Sequence, residues 1–476
     1  SMLTYSFADL GSDSLYEHLY KCIKNDILNG VLAIGEKLPS KRNFAKNLNI
    51  STITVENAYA QLMAEGYIYS LPTKGYFVAD ISTSLLENTS TGTGTSFPKP
   101  AENTLTTLPA NRNIYFADFV SNSISPDNFP FSIWAKIIRE VISEESQALM
   151  TNPPSGGIPE LRSAIAQYLF QFRGMKVDPA QIIIGAGTEY LYGLLIQLLG
   201  NDNIFAVEDP GYRKIAQIYN SHQAQCRHIP LDNHGLELSA LEESDADIIH
   251  ISPSHHYPTG IVTPISRRYE LLGWASKSPS RYIIEDDYDC EFRLQGKPIP
   301  SLQSIDVMEK VIYINTFSKS LASTIRISYM VLPYHLLERF YTQLGFYSCT
   351  VSNFEQYTLA RFISQGYFEK HINRTRNFYK TQRDTLLNCI RNSPLHSCSA
   401  IMEEDAGLHF LLKLNTTLSD EVLVEKAEQA GLHIACLSKY YHKPEKRLEH
   451  TLVMNYSGLE PEKISEAIRR LSNCVC

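Results

Sequence analysis

Six short apolar runs set the terms for most of this chain. QIIIGAG, NIFAVED, DIIHISPS, RYIIEDDYD, KVIYINTFS and RISYMVLP fall between Gln181 and Pro333, and amphipathic stretches of helical spacing separate them. Runs of this length, rich in Ile and Val and closed by charged or turn-forming residues, read as buried strands. Strand and helix in alternation predict an α/β domain around a largely parallel sheet. After about residue 375 the pattern changes. Helical stretches there carry GLHFLLKL, GLHIACLS and LVMNYSGL, which predicts a smaller C-terminal α+β region over about 375–476.

The α/β pattern begins only near residue 113. With 476 residues the chain is long enough for two or three domains. Residues 81–112 are rich in Ser, Thr, Gly and Pro with little periodicity, which predicts a flexible linker. Ahead of it, residues 14–30 place Leu15, Leu19, Cys22, Ile23 and Ile27 at helical spacing, with Asp13 or Ser14 as a cap and Gly30 as a stop. GEKLPSKRNFAKNLNISTITVENAYAQLMAEGYIYSLPTKGYFVAD then reads as two helices broken at LNIST, followed by two short strands around LPTKG. Helix–turn–helix plus a β-ribbon is a winged-helix pattern over residues 1–80.

In such a module the second helix of the turn enters the major groove of double-stranded DNA and the wing touches backbone or minor groove. That helix begins near Ser51, with Thr52, Thr54 and Asn57 facing outward and Val55, Ala58, Tyr59 and Leu62 inward. Lys37, Lys41, Arg42 and Lys46 crowd the preceding helix and Lys74 sits in the wing, where they suit phosphates. Residues 1–80 carry seven basic and eight acidic residues, so a winged helix used for protein contacts is the competing reading. The segment resembles the GntR family of bacterial DNA-binding domains. Ser40 and Arg42 match its first motif and Thr54-Val55 its second, while Thr52 stands where an arginine is usual and Lys74 beside the wing's one glycine, Gly75. The expected DNA contacts are Ser40, Lys41, Arg42, Ser51, Thr52, Thr54, Asn57 and Lys74.

Composition excludes little else. Hydrophobic residues make up 43% and charged residues 20%, no apolar run is long enough to span a bilayer, and SMLTYSFADL lacks the basic-then-apolar order of a secretion signal. Nine cysteines without a CxxC pair, two of them too close for ordinary pairing in the final CVC, predict reduced thiols in a cytoplasmic protein. A net charge of −8 argues against non-specific nucleic-acid binding by the whole chain.

Four features of the α/β region need a common explanation. IIIGAGTEYLYGLLIQLL is a strand, a small-residue turn and a helix start, where backbone N–H groups and the Thr188 hydroxyl suit a phosphate. A dinucleotide fold would look similar, but its third glycine is missing. IIEDDYDCEF ends a strand in carboxylates, either a solvated end or, with His255 and His256 of SPSHHYPTG, a metal site for which no spaced repeat fixes a coordination shell. TFSKSLASTIR places Thr316, Lys319 and Arg326 on a strand end and the turn after it. A lysine is ordinarily a surface residue, but a desolvated one can form a Schiff base. VEDPGYRKI brings Tyr212 to a strand-end loop, where its ring can stack on a flat ligand. Pyridoxal 5′-phosphate (PLP) uses all four. Lys319 suits its aldehyde, Asp286 its ring nitrogen, Tyr288 its phenolic oxygen and Tyr212 its ring face. Gly187-Thr188 and Arg326 suit its phosphate.

Residues from about 113 onward resemble the aspartate-aminotransferase type of PLP enzyme (fold type I), with an α/β/α large domain and a small C-terminal α+β domain. SGGIPELRSAI, GAGTEYL, EDPGY, YPTG, EDDYDCEF and SKSLASTIR carry the likeness. It implies that Thr316 joins Arg326 at the phosphate. A GntR-type domain linked to this fold is the architecture of the MocR/GabR group of bacterial transcription regulators. Several positions depart from the pattern: Tyr257 replaces an asparagine near the cofactor phenol, and Asn152 aligns with a tyrosine that reaches the partner subunit's phosphate. The arginine that grips a substrate carboxylate is missing near Val453, leaving Lys439 and Lys214 as candidates for that contact. The resemblance implies a homodimeric regulator that binds operator DNA and senses an amine, an amino acid or PLP by Schiff-base exchange at Lys319. An active aminotransferase with an appended DNA-binding domain is the alternative, and a PLP-free binding module a third.

Overall fold

The computed structural model describes residues 3–81, 114–296, 299–405 and 407–476. The linker expected over 81–112 therefore lies outside the described residues except for Ile81. The chain divides into two compact units, one ending at Arg112 and one starting at Asn113.

The first unit holds helices α1 (Leu15–Leu28), α2 (Lys41–Leu48) and α3 (Thr52–Ala64), then strands β1 (Ile68–Leu71) and β2 (Gly75–Val78). The strands pair antiparallel from Ile68↔Val78 to Leu71↔Gly75, forming the wing. Asn49 ends α2 in the left-handed region at φ 54°, and Ser51 caps α3 through the Thr54 N–H at 3.1 Å. Two caps two residues apart, Asn49 and Ser51, make the tight break between the helices. Leu19, Ile23, Phe44, Val55, Tyr59, Leu62, Ile68 and Val78 meet in the core, so every element contributes.

The second unit is built on an eight-stranded sheet. Its strands in chain order are β4 (Ile182–Gly185), β5 (Ile204–Asp209), β6 (Gln225–Asp232), β7 (Gly235–Leu236), β8 (Ile248–Ile251), β9 (Tyr282–Asp286), β10 (Val311–Thr316) and β11 (Ser328–Val331), and a short β3 (Ala117–Asp118) precedes them outside the sheet. Across the sheet the order is β4-β11-β10-β9-β8-β5-β6-β7. All neighbours from β10 to β6 run parallel, while β11 is antiparallel to both its partners and β7 to β6. The largely parallel sheet read from the sequence is present. Its apolar runs are continuous because both faces are covered. Ile182, Ile184, Tyr313, Tyr329 and Val331 pack on one side with the helices Phe131–Glu144, Pro159–Arg173 and Asn353–Ser364, whereas Ile183, Ile312, Ile314 and Met330 pack on the other with Thr188–Leu199.

The C-terminal region has a three-stranded antiparallel sheet of β12 (Ser399–Met402), β13 (His409–Leu414) and β15 (Thr451–Asn455), while β14 (Leu432–His433) pairs in parallel with β3. Ala117 and Phe119 join this region's core, so the beginning of the unit is folded into its end. Helix Tyr367–Arg391 passes through residue 375 without a break. Phe368 and Ile372 belong to the large region's core, and Tyr379, Leu386, Leu387 and Ile390 to the C-terminal one. Cys398 and Cys476 lie side by side, their Cα atoms 7.1 Å apart, and the other seven cysteines are free. No helix among the described residues is long and apolar enough to cross a membrane.

Candidate functional site

In the winged unit, helix α3 presents Thr52, Ile53, Glu56 and Asn57 to solvent, and Val55, Ala58, Tyr59 and Leu62 are buried as the spacing predicted. Thr54 is half-buried, its hydroxyl bonded to Ser51 Oγ at 2.7 Å. Ser40 and Ser51 are both helix caps, Ser40 accepting the Asn43 N–H at 3.3 Å. Lys41 is ion-paired with Glu56 at 2.7 Å and lies over the Tyr76 ring. Arg42 and Lys74 are exposed. The sequence reading missed the Lys41–Glu56 pair because its members sit on different helices.

In the second unit a cavity of about 800 Å³ opens at the carboxyl ends of the parallel strands. This is where sheets of this kind bind ligands, since side chains there project beyond the last ladder bonds into the loops. Lys319, Asp286, Tyr288, Tyr212, Thr188, Thr316, Arg326, Tyr257, Lys214 and Lys439 all line it. Asn152 is exposed and does not line the cavity of its own chain.

Each wall has a local cause. β9 ends in Glu285 and Asp286, which point to opposite faces as adjacent strand residues must, and a third carboxylate, Asp287, follows directly after it. Asp286 faces the cavity, where its Oδ2 accepts hydrogen bonds from Tyr192 Oη at 2.5 Å and from His250 Nε2 at 2.9 Å. Burial and the Asp286 charge raise the Tyr192 hydroxyl well above its ordinary pKa, which keeps it a donor. The Asp286 carboxylate can only accept, which calls for a proton on His250 Nε2, and Tyr219 Oη lies 2.6 Å from His250 Nδ1 on the other side of the ring. Glu285 instead accepts the N–H groups of Leu302 and Gln303, and Asp287 is buried against Arg173 at 3.1 Å and Tyr313 at 2.5 Å.

Gly187 caps the helix Thr188–Leu199 with φ 91° and ψ 156°, a conformation for glycine. A Cβ there would fall 2.3 Å from Arg326 Nη2, so the guanidinium lies directly against the helix start. Positive helix end, Thr188 and a guanidinium together form an anion cradle. Thr316 accepts from the Ser328 hydroxyl at 2.8 Å and the Ser318 N–H at 3.1 Å, tying the turn that carries Lys319 to the sheet. Lys319 is half-buried with its surface in the cavity, and desolvation lowers its amine to about 8 against the upward pull of Asp289. These residues fit PLP. An oriented carboxylate, an anion cradle that a Cβ would fill and a desolvated lysine share one space.

The histidines weighed as metal ligands each have one ring nitrogen engaged. His255 Nδ1 lies 2.7 Å from Asp289 and 3.3 Å from Tyr288 Oη, and His256 Nδ1 lies 2.6 Å from Thr259 Oγ1. Among the described residues no three His, Cys, Asp or Glu side chains group as a metal site.

At the rim, Lys214 is ion-paired with Glu189. Tyr257 Oη and Tyr440 Oη are 2.8 Å apart, and the Tyr212 and Tyr257 rings meet edge to face. Asp209 accepts the His442 N–H at 2.8 Å, and Gly211 N–H donates to the Tyr440 carbonyl at 3.1 Å. The EDPGY loop and the segment carrying Lys439 are thereby clipped together. Sequence reasoning missed Tyr192, His250, Glu208 and Arg213, all in the cavity wall. Two of them left a signal. His250 is the polar residue inside the apolar run IIHI, and Tyr192 sits one helical turn after Thr188. Burial raises Glu208 to about 8, which favours its neutral form at pH 7.

A winged helix–turn–helix joined to an aminotransferase-type α/β domain defines a class of regulator whose second half has the fold of an enzyme. The bacterial regulatory proteins of the gntR family match residues 15–78, and aminotransferase class I and II matches residues 121–471. The uncharacterized HTH-type transcriptional regulator YdeL of Bacillus subtilis is 37% identical over 459 residues, covering 96% of this chain and 96% of YdeL. The probable rhizopine catabolism regulatory protein MocR of Rhizobium meliloti is 29% identical over 462 residues, covering 96% and 93%. The crystal structure of the multiple substrate aminotransferase from Thermococcus profundus matches with a TM-score of 0.67 at 24% identity, over 80% of this chain and 95% of that one, which shows the fold. The chain belongs to the MocR/GabR group of GntR-family transcription regulators.

Proposed function

We propose that this regulator holds PLP on Lys319 and senses an amine, an amino acid or PLP itself there, while its winged helix holds double-stranded operator DNA. The observation that carries the reading is one cavity lined by Lys319, Asp286, Thr188, Arg326 and Tyr212, brought together from separate stretches of chain. Bound PLP supplies an aldehyde that reacts with amines and a ring that draws electrons when its nitrogen is protonated. Lys319, lowered to about 8, offers a neutral amine in roughly a tenth of molecules at pH 7. Asp286, fixed by Tyr192 and His250, accepts from a protonated ring nitrogen. Arg326, Thr316, Thr188 and the N–H groups after Gly187 hold the phosphate. Tyr212 covers the ring, and Tyr288 with Tyr257 lies at the phenolic side.

Asn152, exposed in its own chain, suits the partner's phosphate in a homodimer. Lys439 is the cation we assign to an effector carboxylate, because the charge of Lys214 is already taken by Glu189. An effector that binds two states of the protein unequally shifts their balance by that difference and so alters DNA binding. Residues 81–112 serve as the linker between the two functions.

Purified protein given PLP is expected to show the visible absorption of a lysine-bound cofactor, and Lys319→Ala to lose it. The amine that perturbs this band is expected to change the affinity for a selected operator. No band in the wild type, or an unchanged band in Lys319→Ala, refutes the assignment. Sustained conversion of amino acids at roughly 1–1000 per second would make the protein an enzyme first.

A further inference from the structure

The exposed face of α3 carries an unusual set of side chains for a DNA-reading helix. Thr52, Ile53, Glu56, Asn57 and Ala60 are all exposed, and none is basic. Ile53 keeps 68% of its surface in solvent although it stands in the first turn of a well-packed helix. Thr54 is turned back to the cap, and Glu56 is held by Lys41 across the helix pair. The face therefore offers a large aliphatic group and an amide, with one neutralised carboxylate beside them.

Major-groove chemistry sorts base pairs by these types. Guanine is most often read by Arg or Lys on O6 and N7, adenine by Asn or Gln on N6 and N7, and thymine through its 5-methyl group by apolar side chains. A helix face without a cation has no strong means of selecting guanine. Ile53 and Asn57 are four residues apart, on one side of the helix and about 6 Å apart along its axis, a span of about two base-pair steps. Arg42 and Lys46 on α2 are exposed and have no acidic partner among the described residues, so they remain for the phosphates.

We propose that Ile53 reads a thymine methyl group in the major groove, with Asn57 on an adenine about two steps away, so that the operator's core is A·T rather than G·C. This rests on the DNA-binding reading and names the base chemistry of its site. Removing one buried methyl contact costs about 0.8 kcal/mol, or about fourfold in affinity.

The test uses the full chain with PLP. Its preferred sequence is selected from random duplexes, and each thymine of that sequence is then replaced singly by uracil, which deletes only the methyl group. One thymine per half-site is expected to lose about fourfold on replacement. Ile53→Ala, on an exposed position and so folded normally, is expected to bind the thymine operator about fourfold more weakly and to be indifferent to uracil there. Asn57→Ala is expected to lose discrimination at a different position. Uracil without effect at every position, or an Ile53→Ala protein that keeps the uracil sensitivity, overturns the inference while leaving DNA binding intact. A G·C core does the same. Failure to select any sequence overturns both.

Discussion

Gly187→Ala separates the anion cradle from the rest of the cavity. At φ 91° and ψ 156° the backbone is in a region essentially reserved for glycine, and a side chain there costs about 1–3 kcal/mol. The added Cβ also falls 2.3 Å from Arg326 Nη2 and 2.9 Å from its Cζ. The guanidinium is the far end of a flexible side chain, so it swings away and the cradle loses its cation. A hydrogen bond to a charged group contributes about 1.5–3 kcal/mol, which translates to roughly 10- to 150-fold in PLP affinity. The assay is a double-mutant cycle of Gly187→Ala and Arg326→Ala, with PLP affinity read by absorbance titration and stability by denaturant unfolding. If the Cβ acts by displacing Arg326, Gly187→Ala weakens PLP strongly in the wild type and little once Arg326 is already alanine. Its stability cost persists in both backgrounds because that part is backbone strain. Additive losses in PLP affinity, or no loss in the single variant, would refute the cradle.

Three other outcomes follow from the same geometry. The rate of PLP uptake by apo-protein, measured relative to a small-molecule amine, is expected to rise about tenfold per pH unit and level off near pH 8, because Lys319 is lowered to about 8; a rise continuing past pH 10 would mark an ordinary exposed lysine. Tyr192→Phe removes one of the two donors on buried Asp286 and is expected to lower unfolding free energy by about 1–3 kcal/mol and shift the bound-cofactor absorption; an unchanged band and stability would show that His250 alone orients the carboxylate. Ser51→Ala deletes the cap of α3 and is expected to cost about 1 kcal/mol by thermal or denaturant melting, with Ser51→Asp recovering most of it.

What the sequence made legible was the set of residues that change the local pattern. Lys319 follows a strand of six apolar or neutral residues, Asp286 closes another, and Gly187 stands between strand and helix, so each announces its place at a strand end. The winged helix was legible for the same reason: caps, turn and ribbon are local. The Lys41–Glu56 and Lys214–Glu189 pairs were not, since charges on separate elements carry no mark of their partner. Nor was the pairing of β14 with β3, which spans most of the unit's length and rests on two residues in each strand. Helix Tyr367–Arg391 hides the passage from one core to the next because both its halves keep a helical period.

The run EDD shows how structure decides what composition leaves open. Three neighbouring carboxylates can gather a cation only if their oxygens converge, and in a strand they do not, because adjacent side chains leave on opposite faces. Glu285 is spent on the N–H groups of Leu302 and Gln303, which fixes the loop beyond Pro300. Asp287 neutralises Arg173, a residue with almost no contact with water, and so fastens the helix Pro159–Arg173 beneath the site. Only Asp286 reaches the cavity, and it arrives with both donors on one oxygen, Oδ2. Neither of those bonds engages Oδ1, so the carboxylate keeps an acceptor for one more donor. A single oriented carboxylate suits the N–H of a protonated ring better than it suits a metal ion, which asks for several oxygens at once. The same alternation that buries the sheet on both faces therefore selects which acidic residue of the three can act on a ligand.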